Sequence, residues 1–326
     1  MPTSGWYYRL SSFFRERFHE KIFKIPLDAG FTCPNRDGSI SENGCIFCYN
    51  PSFSPGALDR EKENQRFTVK EQITRFQMKM ETSQARGEAA EEAVLFRPRK
   101  KYLAYFQSYS NTYAPLSRLK ELYEEALRTP GVIGLSIGTR PDCLSPEVLE
   151  LLSGYSLEYH IWLELGLQSA HDRSLKFINR GHYYKDFEDA VLLSQDKGIF
   201  ICVHIINGLP GETRADMLET IRKINSLPLD GIKFHQLQIF KETALSQLYS
   251  QGKIDLLSID EYLEIICDQL EILRHDIVVH RLLSEATTTE MLLAPHWQVS
   301  RAGFSQLVER ELKTRGSWQG KYFQTT

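Results

Sequence analysis

Residues 134–168 read GLSIGTRPDCLSPEVLELLSGYSLEYHIWLELGLQ. Gly134–Thr139 is a short apolar run. Ser145-Pro146-Glu147 then opens a helix: a capping serine, a proline whose missing N–H costs nothing in the first turn, and an acid for the positive helix end. His160–Gln168 is a second apolar run. Neither run alternates strictly, as suits strands covered on both faces. Strand, helix and strand in this order form a βαβ unit, with parallel strands and a right-handed crossover.

The same pattern extends in both directions. Lys21–Asp28, Lys101–Gln107, Phe200–Asn207 and Gly231–Phe240 supply four more strands. Thr68–Ser83 is a helix opened by the capping pair Thr68 and Glu71. Ser117–Arg128 sets Leu119, Leu122, Tyr123, Ala126 and Leu127 on one face. Asp172–Ile178, Phe187–Lys197 and Thr213–Asn225 complete the helices. Six such units predict an α/β fold. Periodicity alone leaves a doubly wound sheet and an incomplete barrel open. In both, functional residues gather at the C-terminal strand ends. Beyond Phe240 the pattern changes to a helix at Ser258–Leu273, a strand at Ile277–Leu282 and a helix at Phe304–Thr314. The expected organisation is a lead-in (1–20), a core (21–240) and a small α+β C-terminal extension (241–326) packed on it.

The chain has 326 residues, 42% hydrophobic and 25% charged, a globular composition that excludes disorder as the main state. Its longest apolar runs, such as Phe200–Ile206 and Ile161–Leu167, fall far short of the roughly 20 residues that cross a bilayer. No membrane association is expected. The N-terminus is too aromatic and charged for a secretory signal, so the expected compartment is the cytoplasm. The net charge of −3 argues against a surface basic throughout. A nucleic-acid ligand would need a local patch, and Arg97–Lys101 is the candidate.

The six cysteines are unevenly placed. Cys143, Cys202 and Cys267 lie singly beside apolar runs and read as buried small hydrophobes. Cys33, Cys45 and Cys48 form Cys-x11-Cys-x2-Cys directly after the first strand. Asp37-Gly38 and Asn43-Gly44 are turns that fold the spacer back. A structural zinc site wants four ligands. A [4Fe–4S] cluster held by three thiolates leaves one iron open to a ligand. Zinc completed by a distant histidine, and a redox pair at Cys45–Cys48, remain alternatives.

Further stretches carry a resemblance: Cys33-Pro34-Asn35-Arg36-Asp37-Gly38, Tyr102–Gln107, Gly138–Cys143, Glu164–Gln168, Ile178-Asn179-Arg180-Gly181-His182, His204–Glu212 and the ending Gly316-Ser317-Trp318-Gln319-Gly320. In this order they resemble the radical S-adenosylmethionine (SAM) superfamily, and within it the YtqA/YhcC-type group, nearest its YtqA subgroup. These are relatives of the Elp3-like proteins. The superfamily's usual first cysteine spacing is shorter, and this group shares the long one.

The resemblance implies a partial (βα)6 TIM-type barrel. Cys33, Cys45 and Cys48 would hold three irons of a [4Fe–4S] cluster, and SAM would chelate the fourth. It implies Phe47 beside adenine and Gln107 and Ser108 near the SAM amino group. Thr139, Arg140, Glu164, Gln168, Arg180 and His204 would make further SAM contacts, although a matching branch carries an acid where His204 stands. Gly208 would let the backbone approach adenosine. The implied chemistry is reductive cleavage of SAM to a 5′-deoxyadenosyl radical that abstracts hydrogen from an unactivated carbon.

The implied substrate is tRNA, whose wobble uridine carries a carboxymethylaminomethyl group at C5 that becomes aminomethyl before a partner methylase acts. A flavodoxin or ferredoxin would donate electrons. Tyr49, Phe53, Tyr105, Tyr109 and Tyr113 are candidates to stack the base, and His280–Leu282 with His296–Trp297 to cover the mouth. The competing readings are a radical SAM enzyme for a small molecule or peptide, and a non-catalytic zinc protein.

Overall fold

The computed structural model describes residues 5–53, 67–85 and 100–324. Six strands follow the chain order across one parallel sheet: β1 (Ile22–Leu27), β2 (Lys101–Phe106), β3 (Val132–Thr139), β4 (His160–Gln168), β5 (Phe200–Asn207) and β6 (Gly231–Gln236). A two-residue strand, β7 (Ile239–Phe240), leaves this sheet. β8 (Val278–Arg281) joins the main sheet beside β6 as a seventh parallel strand. β9 (Leu292–Ala294) pairs antiparallel with β7.

The sheet is curled into a half-barrel. Lys24 of β1 and Lys233 of β6 both reach Glu164 of β4. In a flat sheet, β1 and β4 would stand about 14 Å apart, too far for this convergence. Among the described residues the edge strands β1 and β8 are not paired with each other, which leaves a seam between them.

Predicted caps set the helix starts. Thr68 and Glu71 bond reciprocally (2.7 and 3.2 Å), and Ser145 accepts from Val148 N–H at 3.3 Å. Thr213 and Ser258 cap Arg214–Asn225 and Ile259–Ile272. The helix expected at Phe187–Lys197 spans Tyr184–Leu193, because Asp186 accepts from Tyr183 N–H (2.7 Å) and starts it earlier. The run Gly231–Phe240 is two strands. Gln236 exchanges hydrogen bonds with Ser284 (2.7 and 2.9 Å), and the chain then turns away to pair with β9.

The lead-in contains a helix, Leu10–Phe18, that plugs the bottom of the half-barrel. Phe13 packs on His160, Trp162 and Phe200, with ring centroids 5.5–5.7 Å apart. At the other end of the chain, the buried Gln319 donates to the Arg274 and Ile277 carbonyls (2.7 and 2.8 Å) and accepts from Tyr8 N–H (2.8 Å). The Gly-Ser-Trp-Gln-Gly ending thus ties both termini to β8. Among the described residues no helix is long and apolar enough to cross a membrane.

Candidate active site at the mouth of the half-barrel

The cysteine loop follows β1 and is shaped by local turns. The Cys33 carbonyl accepts from Arg36 and Asp37 N–H (2.8 and 3.2 Å), and Asp37 accepts from Ser39 N–H at 3.1 Å. Cys48 N–H donates to the Cys45 carbonyl at 3.0 Å. The segment 178–182 pins the loop from outside. Asn179 donates to the Gly44 carbonyl (2.7 Å), and Asn35 donates to the Asn179 carbonyl (2.6 Å). Gly181 has φ +74°, and a Cβ there would lie 2.9 Å from Ile40. The Asn-Arg-Gly motif is therefore a backbone clamp on the cysteines.

One cavity of about 190 Å³ opens at the C-terminal strand ends. Cys33, Cys45, Cys48, Phe47, Gln107, Thr139, Arg140, Glu164, Gln168, Arg180 and His204 all line it. Ser108 is fully buried and does not line it. Gly208 stands elsewhere, in a small hollow with Leu257 and Trp297, where an added Cβ would meet Leu257 at 3.1 Å. The fifth-strand turn therefore carries Gly208 away from the cavity and the adenosine contact expected of it.

The donors around the sulfurs suit an anionic cluster. Asn35 Nδ2 and Arg180 Nη1 each lie 3.5 Å from Cys45 Sγ. Arg36 sits beside Cys48, donating to its carbonyl at 2.7 Å, and Arg140 lies within electrostatic reach of Cys33 and Cys45, so both guanidiniums would stabilise thiolates there. Burial, reinforced by Cys45 and opposed by Arg36, pushes the Cys48 thiol up to about 11. The free thiol keeps its proton, and iron must displace it. Among the described residues no three His, Cys, Asp or Glu side chains converge on a single-ion site. Cluster ligands bind separate irons and stand farther apart than ligands of one ion.

Glu164 is the electrostatic centre of the half-barrel. Its Oε1 accepts from Lys24 (2.6 Å) and Ser136 (2.5 Å). Its Oε2 bonds His204 Nε2 (2.9 Å) and Lys233. All its lone-pair sites are thus engaged. Glu164 lines the cysteine cavity and is at the same time the counter-ion of Lys24 and Lys233. Burial opposes its ionisation, but Lys233 and Lys24 hold it well below the usual carboxylate range. Burial pushes Lys233 down to about 7 against the pull of Glu164, and pushes His204 to about 4. Lys233 also donates to Tyr105 Oη at 2.9 Å.

Two arginines are similarly committed. Arg140 forks onto Asp142 (2.9 and 2.7 Å) and donates to the Arg180 carbonyl (2.7 Å). Arg180 donates to the Gly166 carbonyl at 2.7 Å, and a Cβ at Gly166 would lie 2.7 Å from its Nη2. Gln168 reaches the lining through a register shift in β4 and a left-handed backbone, φ +77°.

Of the proposed stacking aromatics, Tyr49 is stacked on Phe240, Tyr113 is bonded to Ser39 at 2.9 Å, and Tyr105 is buried. Tyr109 lines the cavity and remains 37% exposed. The side chain of Phe53 and residues 97–99 of the basic run lie outside the described residues. Lys101 pairs with Glu20 at 2.7 Å. His280 does not cover the mouth; its side chain is fully covered beside Trp162, while its neighbour Arg281 lines the cavity. Trp297 packs on Tyr262.

Sequence reasoning missed Lys24, Lys233 and His235. The signal was available for the lysines: a lysine inside an apolar strand covered on both faces must find a buried partner.

Comparison with known proteins covers nearly the whole chain. The family model described as the radical SAM superfamily matches residues 38–224, and the Radical_SAM C-terminal domain matches residues 229–314. The uncharacterized protein YtqA of Bacillus subtilis (strain 168) is 38% identical over 322 residues, 99% of this chain and 94% of that protein. Protein YhcC of Escherichia coli (strain K12) is 35% identical over 304 residues, 92% of this chain and 90% of that protein. A tRNA uridine(34) acetyltransferase of Methanocaldococcus infernus is 24% identical over 188 residues, 56% of this chain and 34% of that protein. The archaeal Methanocaldococcus infernus Elp3, with an N-terminal deletion, superposes with a TM-score of 0.63 at 16% identity, covering 91% of this chain and 64% of that one. That likeness establishes a shared fold.

Proposed function

Because the chain belongs to the radical SAM superfamily, we propose that it cleaves SAM reductively at a cluster held by Cys33, Cys45 and Cys48, and acts on the C5 side chain of a tRNA wobble uridine. The superfamily's cofactors are a [4Fe–4S] cluster and SAM. The observation that carries the site assignment is the convergence of the three cysteines on one cavity, backed by Arg36, Arg140 and Arg180.

When bound, the cluster supplies the electron that cleaves SAM. The protein's own residues bind, orient and shield. Asn35 and Arg180 donate toward Cys45. Phe47 offers a face to adenine, and Gln107 and Gln168 present amides to the polar ends of SAM. The two lysines fix Glu164, and with it His204, so that the cavity wall does not rearrange during the reaction. A displacement of about 1 Å costs such a site on the order of a hundredfold in rate.

The substrate assignment draws on the tRNA uridine(34) acetyltransferase among the relatives and on Tyr109, which offers a partly exposed ring at the mouth. The reaction converts carboxymethylaminomethyl to aminomethyl: the N–CH2 bond to the carboxymethyl unit breaks, SAM serves as the two-electron oxidant and ends as methionine and 5′-deoxyadenosine, and water releases the carboxymethyl unit as glyoxylate. A partner methylase follows, and a flavodoxin or ferredoxin primes the cluster with an electron. Mass spectrometry of tRNA nucleosides from a strain lacking this protein tests it. Accumulation of 5-carboxymethylaminomethyluridine, reversed by the wild-type gene and not by Cys48→Ala, is the expected result. An unchanged profile, in a host with no second route to the aminomethyl base, refutes the tRNA assignment.

A further inference from the structure

A second cavity, of about 840 Å³, occupies the seam between the edge strands β1 and β8. The helix Leu10–Phe18, β1 and residues 282–285 form its walls. It meets the cysteine cavity at four shared residues, Tyr105, Gln107, Arg281 and Ser284. The seam is therefore a lateral approach to the mouth of the half-barrel.

Its walls are strongly cationic. Arg15, Lys21, Lys24, Lys233, Arg281 and Arg301 line it, against Glu20 and Glu285. Both acids are already engaged, Glu20 with Lys101 (2.7 Å) and Glu285 with Arg301 (2.6 Å). At the inner end, Lys24 and Lys233 share the single carboxylate of Glu164. His204, His235 and His280 face the same centre, and burial holds each below its usual range, so they stay neutral and neither add to nor offset the positive charge. The Arg281 backbone pairs with Lys233 in the sheet, but its side chain makes no hydrogen bond or ion pair with any described residue. It lies deep in the protein, yet keeps part of its surface open to the two cavities it lines. A guanidinium stays charged even there. Glu164 and Glu285 are the acids that act on Arg281, and both are already shared, Glu164 with Lys24 and Lys233 and Glu285 with Arg301. Cations outnumber anions at this junction, so an anionic ligand there would find unshared positive charge.

We propose that Arg281, with Lys233 beside it, is a carboxylate-binding subsite at the junction of the two cavities, which holds the acidic end of the substrate's side chain. The identity of that carboxylate, the carboxymethylamino group on uridine, rests on the function proposed above. The charge argument stands without it. A planar guanidinium matches a carboxylate through two parallel N–H bonds, and the junction lies between the seam and the cysteines, where a substrate side chain must pass.

The test uses the cluster- and SAM-loaded protein, wild type, Arg281→Gln and Arg281→Lys. N-methylglycine labelled with ¹³C at its carboxylate is the minimal probe, with ethylmethylamine as the control lacking the carboxylate. We expect NMR titration to show saturable binding of N-methylglycine to wild type, loss in Arg281→Gln, and partial retention in Arg281→Lys. Two anticodon stem-loops, differing only in carboxymethylaminomethyl against aminomethyl at the wobble base, extend the test. Wild type should favour the acid by about ten- to a hundredfold, and Arg281→Gln should bind both alike. The SAM dissociation constant should not change.

A stability readout separates recognition from a structural role. Arg281→Met, in the ligand-free protein, should raise the melting temperature, because it removes a desolvated cation whose acids, Glu164 and Glu285, are shared with other cations. A structural arginine would lower it. Binding of N-methylglycine that depends on Arg281, with no preference between the stem-loops, overturns the wobble-uridine reading and leaves the subsite standing. A stem-loop preference that survives in Arg281→Gln overturns the subsite and leaves the wobble-uridine reading standing. Weakened SAM binding in Arg281→Gln with unaltered probe binding also overturns the subsite, because the anion is then the methionine carboxylate.

Discussion

Glu164→Gln tests the electrostatic centre directly. The substitution preserves shape and removes one buried negative charge from between two lysines. The lysines do not suffer equally. The Lys24 side chain is 18% exposed and can turn toward water, whereas that of Lys233 is 4% exposed and cannot. Lys233, already at about 7 beside Glu164, must then either stand as an unpaired buried cation or give up its proton, and we set the cost of that at about 3–5 kcal/mol. Against a total stability of about 5–15 kcal/mol, this lowers the melting temperature by on the order of 10 °C. Lys233→Met in the same background removes the stranded charge and should recover most of the loss. Urea unfolding of the two single variants and the double variant measures the coupling. A loss below about 1 kcal/mol in Glu164→Gln, or additive losses in the double variant, would refute the account. The pH dependence has a definite sign. Burial sets Lys233 to about 7 in the folded chain, against 10.5 when free. Between those values the unfolded chain binds more protons, so the lysine's contribution to stability rises with pH across that window. Glu164, held below its usual range, contributes stability that is present at neutral pH and lost as pH falls through its folded value.

Cys48→Ala should purify with little iron and no cluster absorbance while keeping its far-ultraviolet circular dichroism; retained iron would place the cluster elsewhere. Asn35→Ala removes an N–H aimed at Cys45 Sγ and should make the cluster harder to reduce, read as a more negative midpoint potential in an EPR-monitored titration. Gly166→Ala forces a methyl against Arg180 Nη2 and should weaken SAM binding about tenfold or more, a loss equivalent to at least one hydrogen bond to a charged group; equilibrium dialysis measures it. Phe14→Ala opens the bottom plug, where Phe14 is 3% exposed, and should cost about 3–5 kcal/mol in urea unfolding.

The sheet was legible because each strand is a short apolar block bounded by turn residues and helix caps, as His160–Gln168 and Ser145-Pro146-Glu147 show. What failed were features that depend on where a strand goes next. Gly231–Phe240 is apolar throughout because both β6 and β7 are buried, so composition does not mark the turn between them. The strand at 278–281 was visible, but its place beside β6 depends on helix packing far away in sequence. The Leu10–Phe18 helix was overlooked because its apolar face is a few phenylalanines among charges. In the site, the cysteine spacing and its turns were legible, since they are local. The roles of Glu164, Lys24 and Lys233 were not. Curvature decides which side chains from five strands meet, and curvature is a property of the whole sheet.

The Gln319 clasp makes one amide the hinge pin of the seam. Its Oε1 accepts from Tyr8 N–H, and its Nε2 donates to the carbonyls of Arg274 and Ile277, which lead directly into β8. The strand so held ends at Arg281, on the wall shared by the two cavities. The cysteine loop takes no part in this clasp. The shape of the lateral approach and the shape of the cluster loop are therefore set by separate contacts, and one can vary while the other stays fixed.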